Sequence, residues 1–204
     1  YDKKSDRSRF LSLLFFPYFE AFDFLEDFCD PFCGSGTIPI EAALIAKNRA
    51  PGLNRSFAAM DWRIFDSGIW QRAREEARSR EFNGDYRIVG SDIDPNALAI
   101  ARENAERAGV ADIVRFEKAD ATKFDRKTER GIIVTNPPYG ERIMEKQEAE
   151  RLYRDFGAAW RATENWKLYL LSSHTEFERT FGKSADKKRK LYNGMIKCDL
   201  FMYL

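Results

Sequence analysis

Four short stretches of the chain place polar side chains where apolar runs end. TNPPYGER, residues 135–142, follows Ile132-Ile133-Val134; DPFCGSGT spans residues 30–37, GSDIDP 90–95 and KADA 118–121. In the first, consecutive prolines fix φ near −65° and remove N–H donors, so the backbone cannot close into a helix and its carbonyls point outward. The Asn136 amide oxygen and the Pro137 carbonyl then stand as fixed acceptors at a strand end. An exocyclic base amine is a poor nucleophile because its lone pair is delocalised into the ring. Acceptors on both of its N–H bonds localise that pair, and positioning with fixed dipoles supplies the catalysis. Tyr139 adds a ring on which a base turned out of a nucleic-acid helix can stack. Read alone, Asn136-Pro137-Pro138 is equally a stiff strand-to-helix connection with Asn136 as a turn former, so its company decides.

Gly34 and Gly36 let a backbone turn approach a ligand closely. No Gly-Lys-Ser/Thr follows, which excludes a P-loop, and Pro39 stands where a dinucleotide fingerprint has its third glycine. Asp92 sits where a carboxylate accepts from both hydroxyls of a ribose. Asp94 is left to cap the next helix, since one cap suffices. Asp120 can accept from the exocyclic amine of an adenine, or be no more than a turn carboxylate. Ribose and adenine acceptors beside a glycine turn without a phosphate cradle suit a nucleoside lacking phosphates, and S-adenosyl-L-methionine is of that kind.

The elements that must position these residues alternate. A Phe- and Leu-rich stretch over residues 10–29, divided by Pro17, reads as a helix followed by a strand ending near Cys29. TIPIEAALIAKN predicts a helix from Thr37, with Pro39 tolerated in its first turn. Residues 49–84 read as an insertion: an aromatic loop, then the charged helix WQRAREEARSREF. Trp62, Trp70 and the neighbouring Phe residues either frame a base pocket or pack the insertion onto the sheet, and the second is expected. Strands follow at YRIVGSD, DIVRFEKAD, GIIVTN and WKLYLLSS, with helices after Pro95 and over 148–163. Asn193-Gly194 between strand-like runs signals a closing hairpin. The expected fold is α/β: a mainly parallel, seven-stranded Rossmann-like sheet with a C-terminal β-hairpin and helices on both faces.

The 204 residues, 44% apolar, suffice for a single domain. Lys+Arg and Asp+Glu balance at 34 against 33, so an anionic partner must be held by a local patch or another domain. KSADKKRK, residues 183–190, reads either as a contact to RNA phosphates or as a solvated edge. Cys29, Cys33 and Cys198 fit neither a disulfide framework nor a zinc site, and with His174 the sole histidine no metal site or Ser-His-Asp triad is expected. The chain starts at Tyr1 and carries no signal peptide or bilayer-spanning apolar run, so it is expected to be a soluble part of a longer cytoplasmic protein.

DPFCGSGTIPIEAALIAKNRAPGLNR, GSDIDPNALAIARENAERAG, NPPYGERI and KKRKLYNG together resemble the catalytic domain of bacterial guanine-N2 RNA methyltransferases acting on large-subunit ribosomal RNA, whose members usually carry an N-terminal THUMP RNA-binding domain. The resemblance runs over residues 28 to 204. It implies a class I methyltransferase that uses S-adenosyl-L-methionine on a guanosine of 23S ribosomal RNA, with residues 1–27 as a separate aromatic-rich helical segment. It implies that Asp30, Phe32, Gly34, Ser35, Gly36 and Thr37 surround the methionine moiety, Asp92 and Ile93 the ribose, and Asp120 and Ala121 the adenine. Asn136, Pro137, Pro138 and Tyr139 are implied to hold the target base, Asn136 also lying against the cofactor. Enzymes that methylate adenine N6 or protein glutamine use the same turn, and a non-catalytic RNA-binding module is the remaining alternative.

Overall fold

The computed structural model describes residues 26–204 apart from 67, 127, 140–142 and 164; the helix expected N-terminal to Cys29 lies outside them. Its strands are β1 (Asp27–Asp30), β2 (Ile88–Asp92), β3 (Val114–Lys118), β4 (Gly131–Thr135), β5 (Trp166–Ser172), β6 (Lys187–Asn193) and β7 (Ile196–Tyr203). The helices are α1 (Thr37–Ala46), α2 (Ile69–Ser79), α3 (Pro95–Ala108), α4 (Ile143–Arg161) and α5 (Phe177–Phe181). They build one seven-stranded sheet of order β3-β2-β1-β4-β5-β7-β6. β1 to β5 pair in parallel, β7 runs against β5, and β6 against β7. β7 is thus the strand that opposes the rest, as the expected hairpin requires. Among the described residues no helix is long and apolar enough to cross a membrane.

Side chains alternate along each strand, so both faces carry a core. Phe28, Ile132 and Val134 face α1 and α3, with Leu98, Ala101 and Phe116. Cys29 and Ile133 face α4 and α5, where Phe156, Phe177 and Phe181 pack against Leu168 and Phe201. β4 is buried along its whole length, which accounts for its unbroken apolar run.

α3 begins as its sequence predicts: the Asp94 carboxylate accepts from Asn96 N–H at 2.9 Å, Pro95 follows in the first turn, and Gly109 ends the helix at φ 74°. The hairpin corner falls one residue later than Asn193-Gly194. Asn193 pairs with Ile196, leaving Gly194 and Met195 as the loop. Gly194 has φ 64°, and glycine at the first central position is the type II′ arrangement that matches strand twist. The insertion also differs from expectation. α2 and α1 line one cavity, with Ala73, Glu76 and Ala77 on the one and Glu41, Leu44 and Ile45 on the other, and their C-terminal ends are tied by the Asn48 side chain, which donates to the Arg80 carbonyl at 2.9 Å. Because α1 already covers the strands, the insertion's aromatics pack on one another: Trp62, 57% exposed, stacks on Phe65, and Phe57 on Trp70.

Phe156 is fully buried and meets Phe32, Phe124 and Phe181. Phe156→Ala is expected to cost about 3–5 kcal/mol in urea unfolding, and a loss below about 1 kcal/mol would show that the α4 face can collapse around the vacancy.

Candidate active site

An open α/β sheet binds its ligand beyond the carboxyl ends of the strands, where strand order reverses. Here β1 has β2 on one side and β4 on the other, and the sequence-predicted residues converge on that crevice. The β1 turn is held from β2 and from α3. Cys33 N–H donates to the Ser91 carbonyl at 2.9 Å, and Gly34 N–H to Asp92 Oδ2 at 2.9 Å. Asn104 of α3 donates its amide to the Ser35 carbonyl at 2.9 Å. Gly36 precedes α1 at φ 81°, and a Cβ there would meet the Ala101 Cβ at 2.9 Å, so glycine is required on both counts. Gly34, at φ 51°, has nothing within 4 Å of where a Cβ would stand. The turn is therefore closed beneath and open above, the shape of a cradle.

Asp92 serves the fold with both oxygens, since Oδ1 accepts from Asp94 N–H at 3.0 Å. Each carboxylate oxygen keeps a further acceptor position, so the capacity for two hydroxyls remains. Ile93 beside it is 66% exposed, an apolar ledge next to an acceptor. Ala119 N–H donates to the Asp92 carbonyl at 3.1 Å and draws the β3 end toward β2. Asp120 Oδ1 accepts from both the backbone N–H and the hydroxyl of Thr122, at 3.0 and 2.7 Å. These bonds hold its carboxyl below the usual range. Ala121 is buried under this turn and Phe32 is half-buried, edge-on to Phe156.

On the other side, Thr135 at the end of β4 is fully buried and donates its hydroxyl to Asp30 Oδ1 at 2.7 Å. Phe32 N–H reaches the same oxygen at 3.1 Å. Asp30 is itself 1% exposed, and burial pushes its carboxyl up to about 7 against the stabilising bonds from Thr135 and Phe32. Asn136, half-buried, leads the turn; Pro137 is buried and Pro138 exposed. The Tyr153 hydroxyl donates to the Pro138 carbonyl at 2.7 Å. Among the described residues no donor is bonded to the Pro137 carbonyl. The Tyr139 ring packs against the α1–α3 core, and its hydroxyl donates to Asn136 Oδ1 and accepts from Asn193 Nδ2 at 3.2 Å.

Sequence reasoning missed Thr135, Tyr153, Asn104 and Asn193. A threonine closing the run Ile-Ile-Val was the available signal for the first; Asn193 was hidden by its reading as a hairpin corner. The thiols offer no nucleophile: Cys29, Cys33 and Cys198 are buried, and burial pushes Cys29 up to about 12. No group of acidic, histidine or cysteine side chains among the described residues could hold a metal ion. The arrangement can cradle a neutral or cationic nucleoside and present acceptors to an amine beside it.

Residues 25–201 match the model of a family described as "RMKL-like, methyltransferase domain". The Bacillus subtilis (strain 168) protein named "Putative RNA methyltransferase YpsC" is 46% identical over 177 residues, covering 86% of this chain and 46% of that protein. The "Ribosomal RNA large subunit methyltransferase K/L" of Shewanella baltica (strain OS185) is 42% identical over 180 residues, covering 85% of this chain and 25% of that protein. The solved structure of SMU.472, titled "a putative methyltransferase complexed with SAH", superposes with a TM-score of 0.86 at 38% identity, over 92% of this chain and 50% of that one. The chain thus spans half or less of the length of these relatives.

Asp30 yields a pH signature. Below about pH 4 it is protonated in both folded and unfolded chains; between about 4 and 7 the unfolded chain releases the proton while the folded one keeps it, so its contribution to stability falls as pH rises and levels off above about 7. Relative to Asp30→Asn, whose side chain still accepts from Thr135 and Phe32, the wild type should lose up to about 4 kcal/mol across that window. Glu41, also raised to about 7 by burial, cancels in the comparison. A pH-independent difference in unfolding free energy would place the Asp30 carboxyl in the ordinary range.

Proposed function

The chain belongs to the RMKL-like methyltransferase-domain family, and from that premise we propose that it methylates the exocyclic N2 amine of a guanosine in 23S ribosomal RNA with S-adenosyl-L-methionine as donor. The observation that carries the reading is the junction of β1 and β4, where a carboxylate-held glycine turn adjoins an amide–carbonyl pair of acceptors. The open side of Gly34 gives room for the cofactor, and the SAH bound in the SMU.472 structure supports its identity. When bound, the cofactor supplies a sulfonium methyl that leaves its sulfur as the new N–C bond forms, the amine's surplus proton passing to water.

In this reading Asp92 accepts the ribose hydroxyls on its remaining lone pairs, with Ile93 against the sugar and base. Asp120 Oδ2 accepts the adenine amine above Ala121. Asp30, Phe32 and the backbone of Gly34 to Thr37 enclose the methionine end. Asn136 Oδ1 and the Pro137 carbonyl take the two N–H bonds of the target amine and turn its lone pair toward the methyl. Pro138 stiffens the turn, and Tyr139 supplies the stacking face. An adenine N6 would meet the same acceptors, so guanine rests on the resemblance of the motifs, together with the large-subunit name of the Shewanella relative.

Residues 28–204 form the catalytic unit in this proposal, with the insertion at 49–84 inside it. Residues 1–27 are a separate aromatic-rich helical segment in this reading, and an N-terminal THUMP domain of a longer cytoplasmic protein delivers the RNA. A net charge of +1 supports that division, because a domain with so little excess charge neutralises few phosphates.

The proposal is tested by incubating full-length protein with labelled cofactor and unmodified large-subunit RNA, then identifying the labelled nucleoside after digestion. N2-methylguanosine is expected; N6-methyladenosine, or label in protein alone, would refute it. In the same assay Asn136→Ala should slow single-turnover transfer on the order of a hundredfold. Asp92→Ala should weaken cofactor binding by about 1.5–3 kcal/mol.

A further inference from the structure

We propose that Asn193, in the C-terminal hairpin, is a positioning residue that fixes the orientation of the Asn136 amide through the Tyr139 hydroxyl; the proposal rests on the methyl-transfer reading. The argument is one of hydrogen-bond bookkeeping. A primary amide presents an oxygen that accepts and a nitrogen that donates, and the two ends occupy nearly the same volume. Asn136 can aid an amine only with its oxygen turned to the N–H. With the nitrogen there instead, donor would face donor.

Packing alone does not choose between these orientations; a neighbour of defined polarity does. That neighbour is the Tyr139 hydroxyl, which donates to Asn136 Oδ1. A hydroxyl can also accept, so its own polarity must be set by a third group. Asn193 Nδ2, which can only donate, lies 3.2 Å from the Tyr139 oxygen. The Tyr139 proton is thereby directed to Asn136, whose oxygen retains a second lone pair for the substrate amine.

Other groups around the hydroxyl do not duplicate this role. The Cys198 thiol of β7 also lies against this hydroxyl, but its sulfur is a weak acceptor beside the Asn136 oxygen and its own proton goes to the Ile196 carbonyl at 3.6 Å, while the Tyr153 hydroxyl is committed to Pro138 at 2.7 Å. Burial pushes the Tyr139 hydroxyl well above its usual range, so it is a protonated donor at neutral pH. The hairpin supplies the rigidity. Leu191, two residues before Asn193 on the same face of β6, is buried in the α1–α3 core, and Asn193 is the last β6 residue paired with β7. Tyr139 thus has a use for its hydroxyl that stacking alone would not require.

The test is a double-mutant cycle in the full-length protein, measured as single-turnover transfer at saturating RNA. Asn193→Ala and Tyr139→Phe should each slow transfer about three- to tenfold with RNA affinity little changed. The double variant should be no slower than Tyr139→Phe, because Asn193 then has no hydroxyl to act on. Asn193→Asp, nearly isosteric but an acceptor, should be slower than Asn193→Ala, since it draws the Tyr139 proton away from Asn136. Additive losses in the double variant, or recovery of the rate by Asn193→Asp, would overturn the proposal. The side-chain amide resonances of Asn136 give a readout independent of catalysis: they should shift in Asn193→Ala although the two residues are not bonded, and unshifted resonances would also overturn it. If wild-type protein transfers no methyl to RNA, the functional reading fails while these resonances still decide the relay.

Discussion

A single buried hydrogen bond, from the Thr135 hydroxyl to the Asp30 carboxyl at 2.7 Å, joins the ends of β1 and β4, and the candidate site depends on it. On one side of that bond the chain turns through Pro31 to Gly36; on the other it turns through Asn136 to Tyr139. The two turns lie on adjacent parallel strands but have no other side-chain bond between them among the described residues. A carboxyl that burial holds near neutrality is an expensive connector. Its use here follows from position, because the strand ends at a sheet crossover are where the backbone ladder stops and side chains must set the spacing.

The remaining polar groups follow a common pattern. Asp92 is bonded to Gly34 and Asp94, Asp120 to Thr122, and Asn136 to Tyr139. Each anchors its own turn before any ligand arrives. Preorganisation of this kind limits the reorganisation needed on binding, which is the largest contribution a protein makes to reactions that proceed by positioning. It also explains why stiff residues recur at these corners: two prolines after Asn136, and Pro31 after Asp30.

Much of this was legible in the chain itself. Five strand ends could be placed because apolar runs break at Asp, Asn or Ser, and Asp94 with Pro95 and Gly109 marks both ends of α3. The mainly parallel sheet and its closing hairpin came from the repeating strand–helix pattern and from Asn193-Gly194, whereas the strand order, with β1 between β2 and β4, is visible only in the structure. What escaped notice depends on contacts distant in sequence. Thr135 reads as one more β-former until Asp30 is found opposite it, 105 residues away. Asn193 looks like a turn residue until the strand extends through it and carries its amide to Tyr139, 54 residues back. The insertion's aromatics were expected on the sheet, where α1 had already taken the space. α5 was overlooked because its residues Phe177–Phe181 are too few to show a period.

The account's central claim, that the Asp30–Thr135 bond holds the nucleoside cradle in place, is tested most directly by calorimetry of S-adenosylhomocysteine with Thr135→Val. This substitution removes the hydroxyl and keeps the shape at a position that is fully buried and out of a ligand's reach. The account predicts a folded protein whose affinity falls about tenfold, the equivalent of one hydrogen bond to an ionisable group. Unchanged affinity in the folded variant would contradict it.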